Sequence, residues 1–96
     1  MKQLLLYLLT ATRGGPMRQR IVKAIKAKPM NAHQLAQQLK VDYKTVQHHL
    51  NILVGNTVFS VVKKGYGAVY FLTPEAEHFL PELGIIWEKV LKQEGR

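Results

Sequence analysis

The hydrophobic period of this chain changes once, and that change leaves few folds open. Between Met17 and Leu53 the apolar residues recur at spacings of three and four, as on helices that bury one face. From Thr57 to Leu72 the run is β-branched and aromatic, as in strands. The helical stretch is cut at Pro29 and again at Lys40-Val41-Asp42, which is too brief for anything but a tight turn. Two short helices across a three-residue turn, followed by a hairpin, predict an α+β, mainly α domain.

The boundaries follow from local chemistry. Gln3 to Thr12 is leucine-rich and reads as a helix, broken by Arg13-Gly14-Gly15-Pro16. Ile21, Val22 and Ile25 form the apolar stripe of a helix that resumes at Met17 and stops at Pro29. Asn31 with Gln34 makes a capping box, and Ala32, Leu35, Ala36 and Leu39 follow at helical spacing. Asp42 is the next cap. Tyr43, Val46, Leu50 and Leu53 are then expected on a buried face, and Gly55 as the left-handed stop. Thr57 to Val62 and Ala68 to Leu72 are the predicted strands, with Lys63 to Gly67 as the turn. Thr73-Pro74-Glu75 starts a last helix, which Pro81 must kink or restart.

Charge narrows the partners. The 96 residues carry a net +8, but unevenly. Residues 1–74 hold eleven basic side chains and one acid, Asp42, while residues 75–96 hold three basic and five acidic ones. A basic body suggests a polyanion as its partner. On the helix from Tyr43 to Leu53, the side opposite Val46, Leu50 and Leu53 carries Lys44, Thr45, Gln47, His48 and Asn51. None is acidic and all can donate hydrogen bonds, so this face suits base edges and phosphates in a major groove about 12 Å wide. Lys63 and Lys64, beside Tyr66 at the hairpin turn, are expected on a flanking phosphate or in the minor groove. Tyr43, Lys40 and Arg18 complete the expected DNA-contacting set. Arg13, Arg18, Arg20, Lys23, Lys26 and Lys28 cannot all face one partner, and at least half of them are expected to be solvated.

The stretches Asn31–Ala36 and Asp42–Leu50 resemble the helix-turn-helix of ArsR-like winged-helix transcription regulators, particularly archaeal ones. Arg13–Pro16 and Tyr66–Tyr70 resemble segments before the first helix and in the wing of that group. The resemblance covers about residues 13–73. It implies a homodimer on double-stranded operator DNA, with the helix 43–53 in the major groove and the wing 63–67 alongside. Carried over, Lys44, Thr45, Gln47 and His48 read bases and Lys64 is the wing contact. Two departures stand out. Lys40 occupies a turn position where the family commonly has Gly, so the turn is expected to differ slightly. The metal-sensing cysteines of the founding members are missing.

The whole chain, 1–96, reads as one domain, with 1–12 and 74–96 as dimerisation helices. Leu5, Leu6, Leu9, Leu83, Ile86, Trp87, Val90 and Leu91 form the expected dimer interface, because apolar surface on terminal helices usually means association. The alternative is that these helices fold back over their own domain. With no cysteine there is no disulfide, thiolate metal site or thiol nucleophile. Glu75, His78 and Glu82 stand at helical spacings, but Pro81 interrupts them, and a solvated helix start is expected rather than a metal site. His49 is expected to pack rather than ligate. One Ser, one Asp and no phosphate-binding glycine loop argue against an enzyme, and no cofactor is expected. No apolar run approaches membrane-spanning length, and a cytoplasmic address is expected. A winged-helix module that joins proteins without binding DNA is the competing function.

Overall fold

The computed structural model describes residues 1–64 and 67–81. A helix α1 (Lys2–Leu6) widens into a π-helical turn (Tyr7–Ala11). It is followed by α2 (Gly15–Ala27), α3 (Ala32–Leu39), α4 (Tyr43–Gly55), the strands β1 (Phe59–Lys64) and β2 (Gly67–Leu72), and a helix α5 over 74–81. The strands form one antiparallel hairpin with Phe59 opposite Leu72 and Lys64 opposite Gly67. This is a mainly helical winged helix-turn-helix.

The predicted caps form. Asn31 Oδ1 accepts from Gln34 N–H at 2.8 Å, and Gln34 Oε1 accepts from Asn31 N–H at 3.0 Å. Asp42 accepts from Thr45 N–H at 3.2 Å, and Thr73 Oγ1 from Ala76 N–H at 3.2 Å. Each satisfies a donor that the first helical turn would leave open. Ile21, Val22 and Ile25 of α2 meet Leu35 of α3, Val46, Leu50 and Leu53 of α4, and Val58 and Phe59 in one core. Burying such a side chain contributes about 1.5–3 kcal/mol. The hairpin is held at two places: Tyr70 N–H donates to Met30 O at 3.0 Å, and Thr73 N–H to Val58 O at 3.1 Å.

Several expectations need correcting. Leu5 and Leu9 are 0% and 1% exposed in the core of their own domain, and Leu6 packs against that core. The amino-terminal segment thus packs against α2 through these leucines, which removes their apolar surface from water. Leu83, Ile86, Trp87, Val90 and Leu91 lie outside the described residues. Tyr43 is 41% exposed and does not join Val46, Leu50 and Leu53 in the core. Gly55 is the last residue of α4 rather than a left-handed stop; the left-handed residue is Thr57, at φ 58°. Lys40 does adopt the left-handed conformation, at φ 57° and ψ 47°, so the turn keeps the form a glycine would favour. Val41 N–H reaches back to Ala36 O at 3.0 Å, which closes the turn despite a cost of ~1 kcal/mol. Lys63, Lys64 and Gly67 belong to the strands and not to the turn.

Candidate nucleic-acid interface

Lys44, Thr45, His48 and Asn51 are exposed along α4, as is Tyr43 at its first turn. The capping carboxylate of Asp42, the one acid before residue 75, is held by its bond to Thr45 N–H. It sits where a helix dipole favours negative charge. The outward face of α4 itself therefore carries cationic and neutral donors only. Lys40 is exposed at the turn and Lys63 on the hairpin. Lys64 ends β1 opposite Gly67. Tyr66 lies outside the described residues.

Gln47 is placed differently from the free reader the sequence suggested. It is half-buried, and its amide is the centre of a network. Tyr43 Oη–H donates to Gln47 Oε1 at 3.1 Å. Gln47 Nε2–H₂ donates to Asn51 Oδ1 at 3.0 Å and to Tyr70 Oη at 3.3 Å. Three α4 residues at four-residue spacing are so joined to β2. Tyr70 was not expected here, because its strand position marks it as core and only its phenol tip reaches the helix. His33 was also missed. Its ring stacks on Tyr43 with centroids 4.4 Å apart, since the turn brings the start of α3 beside the start of α4. A groove of about 330 Å³ runs between these rings and the hairpin, with Asn31, Gln47, Lys63 and Tyr70 in its walls.

Arg18 is not on this surface. It is 5% exposed. Its Nε–H donates to Leu8 O at 2.9 Å, its Nη2 to Thr12 Oγ1, and its Nη1 to His49 Nδ1 at 3.2 Å. Gln19 Nε2 meets Leu9 O at 2.6 Å. These carbonyls belong to the end of the amino-terminal helix, where four C=O groups lack helical partners. A cation is favourable at that negative end of the dipole. Burial lowers the pKa of Arg18, and Tyr7 offsets part of that. Burial also lowers the pKa of His49, with Arg18 and then His48 adding to the effect. His49 is therefore a neutral acceptor on the buried side of α4, packed as expected. Arg20 caps a second helix, with Nη2 on Leu39 O at 2.8 Å. Glu75 and His78 are exposed, and Glu82 lies outside the described residues. Among the described residues no three acidic or histidine side chains gather for a metal.

Residues 15–56 match the family described as bacterial regulatory protein, arsR family. No relative is found among curated proteins. Solved structures match at the level of the fold. The transcriptional regulator BldR from Sulfolobus solfataricus is 14% identical, with a TM-score of 0.75 over 97% of this chain and 68% of that one. Reduced HlyU from Vibrio cholerae is 17% identical, with a TM-score of 0.69 over 90% and 88%. A homodimeric winged helix-turn-helix DNA-binding domain from Mycobacterium bovis is 10% identical, with a TM-score of 0.75 over 92% and 80%. Residues 15–56 thus resemble the helix-turn-helix of the arsR family, and the chain around them has the winged helix-turn-helix fold of these solved structures.

Proposed function

We propose that the chain acts as a cytoplasmic homodimer on duplex DNA, with α4 in the major groove and the hairpin on the flanking backbone or minor groove. The observation that carries this reading is the outward face of α4, where Lys44, Thr45, His48 and Asn51 are exposed and the one nearby acid is held as a helix cap. Lys40 and Lys63 are the phosphate contacts beside it. Tyr43 sits at the groove edge. The dimer surface uses what the amino-terminal helix leaves outside its own core, above all Tyr7 at 59% exposure. Two copies would present their α4 helices to half-sites about 34 Å apart.

Duplex binding at several salt concentrations tests this. Each phosphate neutralised contributes about −0.9 to the slope of log affinity against log salt. Lys63→Ala should flatten the slope by about one unit and weaken all sequences alike. A flat response, or no binding at low salt, removes DNA as the partner and favours a protein-joining module. A monomeric mass in light scattering at micromolar concentration removes the dimer.

A further inference from the structure

We infer that Gln47 sets base preference indirectly, by fixing which way the Asn51 carboxamide faces. This rests on the DNA-binding reading and names a specificity device within it. Asn51 alone could turn either its oxygen or its nitrogen outward, since the two orientations have nearly the same shape. Gln47 ties that choice to its own orientation. In the structure its Oε1 accepts from Tyr43 Oη–H, and Nε2 is the group that meets Asn51 and Tyr70. An Asn51 nitrogen turned toward Gln47 Nε2 would set two donors against each other. Asn51 Oδ1 therefore faces Gln47, and Nδ2–H₂ faces away, with no partner among the described residues.

The outward group is a donor, and the major groove offers it two kinds of base. Guanine O6 and thymine O4 accept; adenine N6 and cytosine N4 donate. Asn51 so held prefers guanine or thymine at the position it meets. Tyr70 is 7% exposed and acts only through Gln47, as a positioning residue on the hairpin. The Gln47→Glu change keeps the length of the side chain but makes it accept only. Tyr43 and Tyr70 hydroxyls can both donate to the carboxylate. Asn51 must then turn Nδ2 inward, with Oδ1 facing out.

The test is binding-site selection from a random duplex library, followed by affinities for the four bases at the selected position. Asn51→Ala identifies that position by abolishing its preference. Wild type should favour guanine or thymine there by roughly tenfold. Gln47→Glu should weaken binding overall through its added charge, yet move the preference at that one position to adenine or cytosine. Gln47→Leu releases Asn51 and should broaden the preference, which keeps the test open if the charged variant does not fold by circular dichroism. Salt-dependent binding with guanine or thymine still preferred in both variants overturns this inference and leaves the DNA-binding reading standing. So does an Asn51→Ala variant that changes no position. Absence of duplex binding by the wild type overturns both.

Discussion

The same substitution at two glycines should change stability in opposite directions. Gly15 begins α2 directly beneath the end of the amino-terminal helix. A Cβ added there would stand 2.6 Å from Leu9 O and 3.0 Å from Leu9 C, both backbone atoms. Backbone cannot rotate away as a side-chain tip can, so the helix start or the π-helical turn must move by roughly 0.5 Å or more to restore normal contact. Overpacking of this kind costs about 1–3 kcal/mol. The displacement also strains the bonds from Gln19 to Leu9 O and from Arg18 to Leu8 O, each worth about 1 kcal/mol or more. Against this, replacing Gly by Ala in a helix gains about 0.5–1 kcal/mol. The net for Gly15→Ala is a loss of about 2 kcal/mol, or about 8–16 °C in Tm for a domain of this size. Gly55 has no atom within 4 Å of the added Cβ. Its φ lies outside the left-handed region, so Gly55→Ala keeps the propensity gain and should be neutral or stabilising by up to about 1 kcal/mol. Thermal unfolding by circular dichroism and urea titration read both variants. A Gly15→Ala protein as stable as wild type would show that the close approach of α2 to Leu9 is absent.

Three further outcomes are expected. Arg18→Ala should cost about 3 kcal/mol in urea unfolding, since it opens a cavity and strands His49 Nδ1. Arg18→Met, which fills the space, should cost about half as much. Stability should fall in acid through His49. Its folded pKa lies below that of the unfolded chain, so the unfolded state takes up the proton first. This contribution is complete above about pH 6.5 and is lost as pH drops below it, by at most about 1.4 kcal/mol per pH unit. Unfolding free energies from pH 7.5 to 5.5 should show the decline, and His49→Asn should flatten it. Lys40→Gly should stabilise the fold by about 0.5–1 kcal/mol by relieving a left-handed lysine, while weakening duplex affinity in a fluorescence-anisotropy titration.

The parts of the fold that were legible in the sequence are those decided within a few residues. Asn31 with Gln34, Asp42, and Thr73 with Pro74 are local chemical statements, and each produces its helix start. The change from helical to alternating period fixes the hairpin, though not its ends, because strand pairing carries on through Lys63 and Lys64. What failed depends on contacts far apart in the chain. Leu5 and Leu9 look like surplus apolar surface until α2 is folded beside them. Tyr43 satisfies the apolar spacing of α4 but sits in its first turn, where His33 offers a ring to stack on and the core offers no space. Gln47 falls on the polar face, as periodicity requires. Only the return of β2 shows that Tyr70 meets it there.

The misplacement of Arg18 bears most directly on function. Counted along the sequence, it is one more positive charge for a polyanion. In the fold, a guanidinium fork holds three acceptors at once, which a lysine could not do as well. Arg20 does related work at the end of α3 with Leu39 O. The cations exposed around α4 are instead lysines, Lys40, Lys44 and Lys63, compact charges suited to phosphates but lacking the bidentate fit to guanine. No arginine lies on α4. On the proposed DNA-binding reading, discrimination between bases would come mainly from the short neutral side chains Thr45 and Asn51, together with His48 and Lys44. For a carboxamide in that setting, orientation decides between donor and acceptor, and so between classes of base. A half-buried glutamine that orients its neighbour would then matter more to sequence preference than an exposed lysine suited to the backbone.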